Sequence, residues 1–233
     1  MHLAKHLCVL LEFYTLKRFD AVIFDLDGTL LDTLADIGNA ANDVLASFGE
    51  PTHSLDSYRL MVGDGVATLF QRALPRCKTE AKLYEQCIHA FEHFYAVRWN
   101  QTSGPYAGVA ELLDWLAAEK IPMAVLSNKP NAFTQKCVDE LLSRWRFGLV
   151  LGASERFPKK PDPASARYVM EQLKSIPART MYVGDTNTDM WTATAAGCWP
   201  VGVTWGFRSR TELLESGAQT IIDHPNELQK LFI

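Results

Sequence analysis

Several absences narrow the field before any motif is read. No two cysteines stand in a C-x-x-C pair. Cys8, Cys77, Cys87, Cys137 and Cys198 are scattered singly, which argues against a zinc site or a disulfide framework and for reduced thiols in a cytoplasmic protein. Excess basic charge is missing too. Lys and Arg number 23 against 27 Asp and Glu, a formal net charge of −4, so there is no electrostatic case for a nucleic acid partner. No apolar run approaches the roughly 18 residues of a membrane-spanning helix, so no membrane partner is expected. The apolar Leu7–Leu11 run is broken by Glu12 and followed by no small-residue cleavage site, a poor signal peptide. Residues 1–17 are expected to be an appended extension of unknown role. Internal repeats and low-complexity tracts are also lacking.

What is present is an ordinary globular balance, 48% hydrophobic and 21% charged over 233 residues, enough to bury a sizeable core. One stretch stands out: Ala21-Val22-Ile23-Phe24-Asp25-Leu26-Asp27-Gly28-Thr29-Leu30-Leu31-Asp32-Thr33. Its four leading apolar residues suit a fully buried strand. Two carboxylates follow, then a glycine that suggests a turn. The pair would then sit in a cleft at the strand's carboxyl end, where open α/β sheets bind ligands. Two anions so close repel unless a proton or a cation joins them. An acidic turn without function is the ordinary alternative, and the rest of the chain weighs against it.

Leu34, Ile37, Ala41, Val44, Leu45 and Phe48 form one apolar stripe at helical spacing, ended by Gly49 and Pro51. Further helices are expected from Leu55 to Val62, Val66 to Leu74 and Thr79 to Trp99. No alternating β-branched segment occurs between Asp32 and Gly104. Beyond Pro105 the pattern alternates. Helices are expected from Gly108 to Glu119, Ala132 to Leu142, Ala164 to Leu173 and Met190 to Ala196. Strands are expected from Ile121 to Leu126, Leu149 to Ala153, Thr180 to Val183, Trp199 to Val203 and Thr220 to Ile222. Strands alternating with helices imply crossovers and a parallel sheet covered on both faces. The expected fold is α/β, a Rossmann-like parallel sheet core (18–33 and 105–233) with an inserted all-helical cap (34–104).

Polar residues gather where the strands end. The first strand contributes Asp25 and Asp27, the second Ser127 and Asn128, a turn-rich loop Lys160, and a later strand Asp185 with Asp189. In a parallel sheet these ends share one edge, so the residues can converge. Carboxylate oxygens suit Mg²⁺. A cation, a lysine and a hydroxyl suit a phosphate. One Asp can attack phosphorus while another shuttles a proton.

In this order and at these spacings the residues resemble the motifs of the haloacid dehalogenase-like hydrolase superfamily, in its phosphatase branch. Asp-Leu-Asp-Gly-Thr-Leu-Leu-Asp-Thr is similar to the first motif and Ser127 in Leu-Ser-Asn-Lys-Pro to the second. Lys160 in Lys-Pro-Asp-Pro resembles the third, and Gly-Asp-x-x-x-Asp at 184–189 the fourth. The resemblance implies Asp25 as nucleophile and Asp27 as general acid/base. It also implies Mg²⁺ held by the Asp25 side chain, the Asp27 backbone carbonyl and Asp185, with Asp189 behind them orienting a water or Lys160. Ser127, Asn128 and Lys160 would hold the phosphoryl group of a small anionic phosphate ester.

Asp27 argues against the metal-independent dehalogenases, and Thr29 leans away from the phosphomutases. Lys78 and Lys82 carry no mark of the Schiff-base lysine of phosphonate-cleaving members. Tyr106-Ala107-Gly108-Val109, Ser127-Asn128-Lys129-Pro130 and Gly202-Val203-Thr204-Trp205-Gly206 are most similar to bacterial phosphoglycolate phosphatases, which more often carry Thr where this chain has Ser127. The resemblance thus implies hydrolysis of 2-phosphoglycolate through an aspartyl phosphate, by a monomer or homodimer. Alternatives are a phosphatase for a sugar phosphate, nucleoside monophosphate or pyrophosphate, a phosphomutase, or a phosphate-binding regulatory module. Gly63-Asp64-Gly65 is the candidate loop closing over the cleft. His89 and His93 are expected on a solvated face. Trp191, Trp199 and Trp205 are expected to pack the core or the pocket rim.

Overall fold

A computed structural model describes residues 18–74, 76 and 79–232. The expected extension 1–17, and Lys78, Cys8 and Cys77, lie outside the described residues. Six parallel strands form one sheet in the order β5-β4-β1-β6-β7-β8. They are β1 (Ala21–Phe24), β4 (Met123–Pro130), β5 (Leu149–Ala153), β6 (Thr180–Gly184), β7 (Trp199–Val203) and β8 (Thr220–Ile222). The crossovers run through α5 (Val109–Ala118), α6 (Asn131–Leu141), α7 (Ala164–Leu173), α8 (Asn187–Ala196) and α9 (Arg210–Glu215).

β1 is central because it is buried on both faces and pairs on both edges. Its residues alternate between two apolar layers. Val22 and Phe24 join the larger layer, whereas Ala21 and Ile23 join a smaller one with Val169, Met170 and Ala193. Ile23 stands opposite Ala124 of β4 on one side and Tyr182 of β6 on the other. The chain leaves β1 for β4 and β5 on one side, then returns to β6, β7 and β8 on the other. The carboxyl end of β1 is thus the switch point at which open parallel sheets form a crevice.

Between β1 and β4 lies a helical block of α1 (Leu34–Ser47), α2 (Leu55–Tyr58), α3 (Val66–Ala73) and α4 (Ala81–Arg98). A two-stranded antiparallel ribbon, β2 (Leu31–Asp32) with β3 (Gly104–Pro105), clips its entry to its exit. Asp36, in the first turn of α1, seals the same junction. Its carboxylate accepts from the backbone and hydroxyl of Thr102 (2.8–3.1 Å) and of Ser103 (2.7–2.9 Å). Burial works against ionising Asp36, but these donors prevail and hold its carboxyl below the usual range.

Four local expectations need correction. β4 runs on to Pro130 instead of ending at Leu126, because after an irregularity Pro130 pairs with Ala153. Ser127 and Asn128 therefore sit on the strand. α8 begins at Asn187 because Thr186 caps it in a box with Asp189. The helix expected to reach Val62 closes at Tyr58, with turn hydrogen bonds continuing to Val62. Trp191 is 48% exposed on α8, whereas Trp199 and Trp205 pack against the core. His89 and His93 are exposed, as expected. Among the described residues no helix is long and apolar enough to cross a membrane.

Candidate active site

The site is built where β1 runs out. After Phe24 the Asp25 N–H still donates to Val183 at 2.9 Å, extending the ladder by one bond. The chain then turns through Gly28, whose φ of +90° suits glycine. A Cβ at Gly28 would lie 2.3 Å from Asp185 Oδ2, and one at Gly206 would lie 2.3 Å from Asp185 Cβ. Two bare backbones therefore let Asp185 approach the turn. Its Oδ1 accepts from the Thr29 hydroxyl at 2.9 Å and its Oδ2 from the Phe207 N–H at 2.8 Å.

Asp25, Asp185 and Asp189 form a buried cluster whose carboxylate oxygens can lie within 4.8 Å of one another. Lys160 Nζ bridges two of them, 2.8 Å from Asp25 Oδ1 and 2.7 Å from Asp189 Oδ1. Asp189 Oδ2 accepts from the Thr186 hydroxyl at 2.6 Å and N–H at 3.1 Å. One side chain thus caps a helix and fixes the lysine. Burial would strip Lys160 of its proton, but the Asp189 and Asp25 charges outweigh it and hold the ammonium. Burial, then Asp189, push the Asp25 carboxyl up to about 7, with Lys160 opposing. Burial, Asp189 and Asp25 likewise raise Asp185.

Asp27 has separate partners. Its Oδ1 accepts from the Thr33 hydroxyl at 2.8 Å and from Lys129 Nζ at 2.8 Å, and Oδ2 accepts from the same ammonium at 3.1 Å. Burial opposes the charge on Lys129, yet the Asp27 carboxylate holds it protonated. The two carboxylates of the opening motif are therefore neutralised by two different lysines. Lys129 was not among the expected site residues. Its signal is its position two after Ser127 on the same strand, which in extended backbone puts both on one side of the sheet.

Ser127 Oγ accepts from the Lys129 N–H at 3.2 Å, leaving its own proton to donate. Asn128 lines the same pocket as Ser127, and its side chain is engaged by the lysine loop. Its Oδ1 accepts from the Lys160 N–H at 2.9 Å, and its amide donates to the carbonyls of Lys160 (3.1 Å) and Gly63 (3.3 Å). The side chain braces the lysine loop and ties it to the helical block. A β position cannot reveal this, because the partner lies 32 residues away.

The helical block lines the pocket with Gly63 and Gly65 among others, and Asp64 between them is tied to the core. Thr188 on α8 donates to Asp64 at 2.5 Å, and Arg72 of α3 donates to its other oxygen at 2.6 Å. Arg208, which follows β7, donates to the Arg59 and Val62 carbonyls, and Arg59 returns a bond of 2.8 Å to Gly206. Trp205 donates to the Thr29 carbonyl at 3.0 Å.

Comparison with known proteins gives the family. The model of the family described as haloacid dehalogenase-like hydrolase matches residues 22–203, and the chain belongs to that family. It is therefore a hydrolase of the phosphoric monoester class, and its relatives include proteins named phosphoglycolate phosphatase. It is 34% identical over 214 residues to a phosphoglycolate phosphatase of Pseudomonas savastanoi pv. phaseolicola, covering 90% of this chain and 77% of the relative. It is 30% identical to that of Photobacterium profundum, covering 91% and 96%. A crystal structure of a predicted phosphoglycolate phosphatase from Haemophilus somnus superposes with a TM-score of 0.83 at 27% identity, covering 93% of this chain and 99% of that one.

Proposed function

We propose that the protein is a Mg²⁺-dependent phosphatase that hydrolyses a small anionic phosphate monoester, 2-phosphoglycolate above others, through an aspartyl phosphate. The observation that carries this reading is the division of labour at the end of β1. Asp25 stands in the carboxylate cluster on Lys160, while Asp27 stands outside it on Lys129. Relatives named phosphoglycolate phosphatase support the choice of substrate.

The residues present fit a magnesium ion. The donors are all oxygens, and three buried carboxylates face a single bridging lysine, which leaves them short of positive charge. Asp25, Asp185 and the Asp27 backbone carbonyl would hold the ion, with Asp189 behind them. Bound there, Mg²⁺ supplies charge neutralisation between the anionic nucleophile and the anionic phosphoryl group.

In this mechanism Lys160 and the Ser127 hydroxyl receive the phosphoryl oxygens, and Asp25 attacks phosphorus. Asp27, a carboxylate on Lys129 in the free protein, takes up a proton as the anionic ester enters. It gives this proton to the ester oxygen as the bond from that oxygen to phosphorus breaks. Asp27, now a carboxylate, takes a proton from water as the water attacks the acyl phosphate. Phosphate leaves and Asp25 is regenerated. Thr33 and Lys129 keep Asp27 aimed during both transfers.

The helical block, residues 34–104, serves as a cap on the core of 18–33 and 105–233. It excludes water and shapes the leaving-group side. The proposal extends to a monomer or homodimer acting in the cytoplasm, in keeping with the free, buried Cys87, Cys137 and Cys198. Phosphate release from a panel of esters, with Mg²⁺ and after chelation, tests the reading. Turnover of 2-phosphoglycolate that survives chelation undiminished would refute the metal requirement. A preference for a sugar phosphate or pyrophosphate would refute the substrate.

A further inference from the structure

One wall of the pocket beside Asp27 enters the hydrolytic steps only through Lys129, which aims Asp27. Val62, Val66 and Leu69 of the helical block line it, with Tyr95 of α4 and Lys129 of β4. Apart from Lys129 and Tyr95 the side chains on this wall are apolar but for Glu92, an exposed residue of α4 that also borders the pocket. Lys129 Nζ, on a side chain 5% exposed, directs its hydrogen bonds to the two Asp27 oxygens and lies 4.7 Å from the centre of the Tyr95 ring. An ammonium carries three N–H groups, so two bonds to Asp27 leave one.

The second observation lies at the same contact. The Tyr95 hydroxyl is buried with no hydrogen-bond partner. Buried polar groups are nearly always paired, and an orphan is a place where a ligand atom can belong. The remaining Lys129 N–H can fall to the tyrosine oxygen beside it, but the hydroxyl's own proton is left without an acceptor. An ammonium and a hydroxyl thus stand side by side as donors with an acceptor missing. An oxyanion supplies that acceptor, and a carboxylate has two oxygens to share between them. The apolar walls strengthen such an interaction by excluding water.

We infer that Lys129 and Tyr95 form a subsite for a carboxylate on the leaving-group side of the substrate. They thereby select phosphate esters of short hydroxy acids over neutral esters. The inference rests on the phosphatase reading above and names the residues that would set its specificity. Because Lys129 touches Asp27, its subsite lies beside the oxygen to which Asp27 delivers a proton. Only an acid whose carboxylate lies within a carbon or two of that oxygen can use both, and glycolate meets this requirement.

The test compares kcat/KM for 2-phosphoglycolate and for ethyl phosphate, whose leaving group is neutral, in the wild type, Lys129→Met, Lys129→Arg and Tyr95→Phe with Mg²⁺ present. The ratio of the two constants should fall about tenfold or more in Lys129→Met and about threefold or more in Tyr95→Phe. The fall should come mainly through KM for 2-phosphoglycolate, and Lys129→Arg should recover most of it. An unchanged ratio in both Lys129→Met and Tyr95→Phe, with the wild type active on both esters, overturns the subsite and leaves the phosphatase reading intact. A wild type inactive on both esters overturns the two together. Should Lys129→Met fail to fold, Tyr95→Phe, which loses a single oxygen, decides the matter through the same ratio.

Discussion

The sheet edge and the helical block reach the same cleft by different physical means. At the sheet edge Asp25, Lys160, Asp185 and Asp189 are buried together. Lys160 pairs with Asp25 and Asp189, and Asp185 is fixed by the Thr29 hydroxyl and the Phe207 N–H, so none could move far without breaking such a bond. The block touches the cleft chiefly through apolar side chains and a few neutral or peripheral hydrogen bonds: Thr188 to Asp64, Asn128 to Gly63, Arg208 to two carbonyls. A reaction centre needs fixed charges, since preorganised groups need no rearrangement as charge moves. A cover that admits substrate and releases product needs contacts that can break. The difference suggests that the sheet edge carries the chemistry and the block carries the choice of substrate.

The strongest way to break that division is Asp25→Asn. It should lower phosphatase activity by about 10⁴-fold or more while leaving the far-ultraviolet circular dichroism unchanged. Activity within tenfold of the wild type would place the chemistry elsewhere. Lys160→Met comes next, because it leaves Asp25 and Asp189 buried without their shared cation. Thermal unfolding without Mg²⁺ should show a loss of about 3–5 kcal/mol, and added Mg²⁺ should recover part of it by binding the folded state. A loss that Mg²⁺ leaves untouched would argue against a cation site at these carboxylates.

Asp36 tests the junction between the two regions. Asp36→Asn should cost about 2 kcal/mol through its weakened bonds to Thr102 and Ser103. Its carboxyl is held below the ordinary value of 3.8 in the folded protein. The stabilisation is therefore full above that value and fades as pH falls through the lowered one. The gap in Tm between wild type and Asp36→Asn should narrow below about pH 4, and a gap constant from pH 7 to 3 would contradict the assignment. The smallest effect is expected from Thr188→Val, which removes one hydroxyl bond between α8 and Asp64. It should raise KM about two- to tenfold with little change in Tm, whereas an unaltered KM would show that this contact does not hold the loop over the site.

How much could be read without coordinates differs between the same two regions. The strand β1 and its turn are legible because four apolar residues, two carboxylates and a glycine are local, and the strand is buried on both faces. The order of the strands is a matter of pairing, yet the alternation of helices and strands was enough to expect a parallel sheet and a common edge. The ribbon of Leu31–Asp32 with Gly104–Pro105 escaped notice because two residues show no period. The short helix Arg210–Glu215 and the 3₁₀ turns of Pro225–Phe232 escaped for a similar reason. The resemblance implies a phosphoryl-holding role for Asn128, but its bonds to Lys160 and Gly63, which span 32 and 65 residues, are visible only in the folded chain.

The sequence by itself determined the residue types of the reaction centre and their order, because carboxylates, a lysine and a hydroxyl at strand ends are short-range patterns in a parallel sheet. Only the tertiary structure decided which charge answers which. Lys160 went to Asp25 and Asp189, and Lys129 to Asp27, because ion pairing in a buried site is set by distances of about 3 Å between segments far apart in the chain. The same holds for Tyr95. Nothing around it in the helix distinguishes it from any apolar-face tyrosine until β4 brings a lysine against its ring and leaves its hydroxyl without a partner.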